Sequence, residues 1–218
     1  PEQCNCLGHA LSCRNILSIY KVNLFNQSTN PSLRYLKITS IGQHLTRSSF
    51  DIFVHLLHLD ISCSHMMFVC PIVSTALSTQ PQKLSYFTSQ SNLIFLNLSY
   101  NLFTEIRPFC FFKLSSLQAF IINGNEINHI HTNAFSGLLK IEILNLTYLH
   151  IQYLEKFAFS GLHSLITLNI SLNKIKNLYD KTFHNLTKLR TIDLSGNKII
   201  YVGPEAFIQV NSLQNIYI

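Results

Sequence analysis

One interval dominates this chain: aliphatic residues return every 24 positions from Leu93 onward. Repeat starts fall at Leu93, Leu117, Ile141, Leu165, Leu189 and Leu213, and each opens the pattern L-x-x-L-x-L. The triplets are Leu93/Leu96/Leu98, Leu117/Phe120/Ile122, Ile141/Leu144/Leu146, Leu165/Leu168/Ile170, Leu189/Ile192/Leu194 and Leu213/Ile216/Ile218. A unit this short cannot bury an apolar face alone, so successive units must stack into a solenoid.

The remaining positions of the repeat agree. Asparagine stands ninth in four blocks, as Asn101, Asn125, Asn173 and Asn197, where its amide can bond the turning backbone of its own and the adjacent coil. Phenylalanine stands nineteenth in five, as Phe111, Phe135, Phe159, Phe183 and Phe207. Rings at one height in successive coils predict a continuous aromatic spine, each ring contributing about 1.5–3 kcal/mol relative to exposure. Two earlier coils are degenerate, Leu33/Leu36/Ile38 and Leu56/Leu59/Ile61, with Ile41 and Ser64 at the asparagine position. The 37 residues from Leu56 to Leu93 predict either one elongated coil with a protruding loop or an extra divergent coil around Leu84. Leu149 also replaces the ladder asparagine, and the backbone is expected to adjust there.

The expected fold is therefore an α/β-type repeat solenoid. It is a curved arc with a parallel concave sheet and a mostly irregular convex side. Residues 1–32 form a cysteine-containing cap and entry segment. Residues 33–218 form about eight repeats, the second elongated and the last incomplete. Each strand buries its L-x-x-L-x-L residues and leaves its third and fifth positions facing solvent.

Composition limits the function. With 47% hydrophobic and 12% charged residues, the chain can build a core and is not disordered. No apolar run is long enough to span a bilayer. The first residues, Pro1-Glu2-Gln3-Cys4, lack an initiator Met and a signal pattern, so the chain reads as a piece of something larger, held at a membrane only through a segment outside it. A net charge of +6 raises the question of nucleic acid, but the Lys and Arg residues are scattered singly, and no nucleic-acid partner is expected. The ten histidines show no H-x-x-x-H spacing and are read as surface residues, with no metal and no cofactor. Catalytic signatures such as G-x-S-x-G, H-E-x-x-H or a phosphate-cradling glycine loop are missing, which argues against an enzyme.

The repeat resembles that of leucine-rich-repeat proteins, which include Toll-like receptors, matrix proteoglycans, adhesion proteins and G-protein-coupled receptors. Cys4-x-Cys6-x6-Cys13 resembles the last three cysteines of the cap of secreted members. That resemblance implies that Cys4 pairs with Cys13 and that Cys6 pairs with a residue outside this chain. Zinc is the competing reading, although no fourth ligand is apparent. Cys70 is left to bridge Cys63 or Cys110, because connectivity does not follow from sequence. Five N-x-S/T sequons at Asn26, Asn97, Asn145, Asn169 and Asn185 suit an extracellular glycoprotein. Asn26 and Asn185 lie in looser segments and are the better acceptors. Asn97, Asn145 and Asn169 arise from the repeat's own L-N-L-S or similar wording; if glycosylated, they would wall off the middle of the arc.

The cap also matches C-x-C-x-G-x-x-L-x-C, which resembles the relaxin-family peptide receptors, as does Leu213-Gln214-Asn215-Ile216-Tyr217-Ile218. This resemblance implies a cell-surface receptor ectodomain that binds an insulin-like peptide hormone on its concave strands through acidic and apolar residues. Phe95, Ala119, Ile121 and Ile143 supply an apolar patch, and Asp60 and Asp193 supply carboxylates. The paired carboxylates of the middle coils are missing here. A matrix or adhesive protein and a Toll-like pattern-recognition receptor are the alternatives.

Overall fold

The computed structural model describes residues 3–7, 9–14, 33–39, 50, 53–67, 87 and 89–218. Asn26, Ile41, Cys70, Leu84 and the Cys6 side chain lie outside the described residues.

A ten-stranded sheet runs the length of the molecule. It begins with β1 (Gln3–Leu7), β2 (Ala10–Arg14), β3 (Tyr35–Thr39), β4 (His58–Asp60), β5 (Phe95–Asn97) and β6 (Ala119–Ile121). After β7 (His129–Ile130) come β8 (Ile143–Asn145), β9 (Tyr153–Leu154), β10 (Thr167–Asn169), β11 (Asn177–Leu178), β12 (Thr191–Asp193), β13 (Tyr201–Val202) and β14 (Asn215–Tyr217). From β2 onward the sheet is parallel, one strand per repeat. Its register matches the sequence period: Ile143, Thr167, Thr191 and Asn215 stand side by side, each 24 residues from the next. The remaining short strands pair across the convex side as β7 with β9 and β11 with β13. No helix occurs among the described residues, so the convex side of this solenoid is built from turns and two-residue strands. None is therefore present that could cross a membrane.

Strand and core follow from the alternation. Leu96, Phe120, Leu144, Leu168 and Ile192 point inward with no exposed area, while their neighbours at the third and fifth positions are half-buried or exposed. Behind them runs the spine. Phe135 stacks on Phe111 at 6.4 Å, Phe159 on Phe135 at 5.8 Å, Phe183 on Phe159 at 5.6 Å and Phe207 on Phe183 at 5.0 Å. The spine is longer than the repeat count predicts. Phe87 lies 6.5 Å from Phe111, and Phe50 lies 6.1 Å from Phe87. Both precede the next repeat start by six residues, as the other five rings do. The extra length of the second coil therefore lies before Phe87. Gln90 Nε2 donates to the Phe50 carbonyl at 2.6 Å, tying that coil to the one before it.

The corners are periodic too. Among the described residues the eighth position is left-handed in each coil, at Cys63, Tyr100, Gly124, Tyr148, Leu172 and Gly196, with φ from 53° to 69°. Gly124 and Gly196 are needed there for a second reason: a Cβ on them would come within 2.6 Å of the Tyr100 ring and 2.7 Å of Leu172 Cδ2. Beside each corner the ladder asparagine stitches two coils together. Asn173 Oδ1 accepts from the N–H groups of Leu149 and Ile151 at 3.1 and 3.0 Å, and its Nδ2 donates to the carbonyls of Leu146 and Ile170 at 2.9 and 3.0 Å. Asn101, Asn125 and Asn197 do the same in their coils. Where the ladder is broken, neighbours take over. Ser64 Oγ reaches the Ile38 carbonyl at 3.3 Å, and Leu149 is fully buried while Asn125 and Asn173 hold the Ile122 and Leu146 carbonyls.

The cap closes the first edge. β1 pairs antiparallel with β2, bringing Cys4 opposite Cys13; the two are disulfide-bonded with Cα atoms 4.1 Å apart. An edge strand turned this way leaves no parallel template open beside β3. Cys110 is disulfide-bonded and buried. Cys63, a candidate half-cystine in the sequence, is instead a free, exposed thiol. Cys63 occupies the left-handed eighth position of its coil, and Cys110 lies one residue before Phe111 of the spine.

Candidate ligand-binding face

The concave sheet presents one row of third-position residues and one of fifth-position residues. Along the third row Tyr35, His58 and Phe95 form a tilted aromatic file, with centroids 6.0 and 5.8 Å apart. Ala119 and Ile143 continue it in direct register, and Ile121 stands beside them between Asn97 and Asn145. Phe95, Ala119 and Ile121 are half-buried, and Ile143 is 48% exposed. The strands are about 4.8 Å apart, so these four side chains make one apolar strip about 10 Å wide. A contiguous strip is harder to dismiss than scattered single residues.

The fifth row serves the fold as well as the surface. Asn97, Asn145 and Asn169 each accept, through Oδ1, the backbone N–H two residues on, at 3.0 Å. Ser171 Oγ adds a second bond to Asn169 at 2.7 Å. Asn or Asp followed two residues on by Ser or Thr therefore suits the turn after five of these strands, and with Asn it is also the wording of a sequon; β6, with Ile121 and Asn123 in those places, turns without it. Nδ2, the atom a glycan would use, is spared by these bonds. Asn185 sits half-buried in a left-handed turn at φ 61°.

The two candidate carboxylates differ. Asp60 is 7% exposed; its Oδ1 accepts the Ser62 N–H at 3.0 Å and its Oδ2 pairs with Lys37 Nζ at 3.1 Å. It is already committed to the turn and the lysine. Asp193 accepts the Ser195 N–H at 2.9 Å through Oδ1 and remains half-exposed.

A second cluster, which the histidine spacing did not suggest, lies on the side of the arc. His129 Nε2 and His131 Nδ1 approach Glu155 Oε1 at 3.1 and 3.2 Å. Thr132 donates its backbone N–H to Glu155 Oε2 at 2.7 Å, and this bond is the main reason that the carboxyl titrates near 2, with burial opposing it. The signal was present in another form. H-x-H that begins in a short strand, as His129 and His131 do at β7, sets two imidazoles close together, and Glu155 is 24 residues after His131, at the same height in the next coil.

Comparison with known proteins places the fold. The Leucine rich repeat family profile matches residues 91–151, 140–199 and 167–218, which together span 128 of the 218 residues. A chain in the crystal structure of the TLR13-ssRNA13 complex superposes with a TM-score of 0.74 at 23% identity, over 93% of this chain. This chain spans 30% of the length of that one. No curated protein matches in sequence. With the period, the parallel concave sheet and the asparagine ladder in place, the chain belongs to the leucine-rich-repeat family.

Proposed function

We propose that this chain is a ligand-binding stretch of a receptor ectodomain, most like that of Toll-like receptors, facing the extracellular or endosomal space. It holds a protein or peptide on its concave sheet. The observation that carries this reading is the strip Phe95, Ala119, Ile121 and Ile143, partly exposed and in continuous register on the concave sheet. Apolar area in such a strip favours aliphatic or aromatic side chains over phosphates, and the fifth row beside it offers the amides of Asn97, Asn145 and Asn169, while Lys37 in that row is paired with Asp60. Sequons and a disulfide-bonded cap support an oxidising compartment. The likeness to TLR13 supports the receptor reading through shape. The ssRNA in that complex is a ligand of TLR13 and is the competing chemistry here.

The narrower alternative is a relaxin-receptor-like ectodomain taking a peptide hormone, with a G-protein-coupled helical bundle beyond this chain. The cap wording C-x-C-x-G-x-x-L-x-C favours it. The committed Asp60 and the single open Asp193 weigh against an arginine-gripping site.

Panning a displayed peptide library against the chain should enrich apolar sequences that lose at least about tenfold in affinity on Ile143→Asp or Ile121→Asp. Ile143→Asp should alter unfolding free energy by about 0.5 kcal/mol or less, because that side chain is 48% exposed, whereas Ile121→Asp, at a half-buried position, should cost about 0.5–3 kcal/mol and still fold. Binders indifferent to both changes, or selective retention of single-stranded RNA, would count against the proposal.

A further inference from the structure

We propose that His129, His131 and Glu155 form a binding site for a zinc-class transition-metal dication on the side of the arc, away from the concave face. Their three ligand atoms lie within 4.8 Å of one another. Two of the separations, 3.1 and 3.2 Å, are close to the edge of a tetrahedron with metal–ligand bonds of about 2.0–2.2 Å. One atom asks for a partner. His129 Nε2 is shielded from water and makes no hydrogen bond of acceptable geometry, although it faces the carboxylate. A buried polar atom left this way is costly, and a metal would satisfy it.

The fold holds the donors in place. His129 lies in β7 and Tyr153 in β9, paired in register, with their rings 6.0 Å apart. The two imidazoles stack at 4.3 Å, which fixes both on one face. The Thr132 N–H takes Glu155 Oε2 and leaves Oε1 toward the rings, and Thr132 Oγ1 donates to the Lys156 carbonyl at 2.8 Å. These second contacts orient a ligand in the way that metal sites require. Arg107, one coil earlier, is turned to Glu105 at 2.6 Å, so its charge is matched. Two imidazoles and one carboxylate suit zinc and its neighbours; calcium needs six to eight oxygens. Three protein ligands leave a fourth position for water or for a partner's side chain. Bound metal would tie the coil beginning at Leu117 to the coil beginning at Ile141.

Chelator-stripped chain titrated with zinc chloride in a calorimeter should take up one zinc per chain. His129→Ala, His131→Asn and Glu155→Gln should each weaken that uptake by about tenfold or more. Glutamine keeps an acceptor for Thr132, so Glu155→Gln should fold, and circular dichroism checks each variant. A wild-type measurement stands beside these: zinc should protect His129 and His131, but not exposed His65 or His150, from acylation by diethylpyrocarbonate mapped by mass spectrometry. Calcium chloride should protect none. No uptake at about 100 µM zinc, uptake unchanged in all three variants, or equal acylation with and without zinc would overturn the site.

Discussion

Phe159→Ala should lower the unfolding free energy by about 3–5 kcal/mol, the usual cost of removing a buried ring from a site that cannot collapse around the gap. Phe159 has no exposed area and lies between Phe135 at 5.8 Å and Phe183 at 5.6 Å, in planes within 5° and 17° of its own. Neither neighbour can move into the space without leaving its other partner in the stack. In a solenoid the loss falls on both interfaces of the affected coil, so urea unfolding should broaden as well as shift. Phe112→Ala is the control. That ring is 37% exposed, beside the spine in sequence but outside it, and its loss should cost well under about 1 kcal/mol.

Asn173→Leu should cost about as much, roughly 3–5 kcal/mol, for a different reason. Leucine matches asparagine in approximate size, but it strands the N–H groups of Leu149 and Ile151 and weakens the satisfaction of the Leu146 carbonyl. Each buried group left unpaired costs about 1–3 kcal/mol. The chain already carries leucine at this ladder position in the preceding coil, as Leu149, and tolerates it because Asn125 and Asn173 serve the flanking carbonyls. Removing Asn173 breaks two successive rungs, so no neighbour is left to compensate. Thermal unfolding of Asn173→Leu beside wild type measures the difference; a shift no larger than that of a surface substitution would contradict the ladder's role.

Most of the architecture was legible because a constant interval fixes which residues become neighbours. The strands, the inward leucines, the asparagine ladder and five spine rings all follow from counting 24. Phe50 and Phe87 were missed because the count ran forward from each start: the coil from Leu33 to Leu56 is one residue shorter than 24 and the coil from Leu56 to Leu93 is thirteen longer, and counting back six from the next start recovers both. The convex side needed coordinates, since short strands such as His129–Ile130 leave little periodic signal. The binding face is less legible for a physical reason. Third- and fifth-position residues are free of the core's demands, so they record a partner's chemistry that is not in this chain. Asn97, Asn145 and Asn169 are ambiguous because the turn and a glycan ask for the same residues. The Cys63 thiol and the His129–His131–Glu155 cluster show the converse. Both become clear only when positions in the coil, rather than distances in sequence, are compared.

The most direct test of the open concave row is cross-linking between neighbouring coils, in a Cys63→Ser background. Ile143→Cys combined with Thr167→Cys places two thiols on paired strands in direct register, within the Cα separation of about 4.4–6.8 Å that a disulfide spans. Ile143→Cys combined with Thr191→Cys places them two strands apart, at about 10 Å. Mild oxidation should close the first pair nearly completely and leave the second pair as free thiols, read by intact mass after alkylation. Closure of the second pair in preference to the first would show that residues 24 apart do not stand side by side, and the binding face described here would not exist.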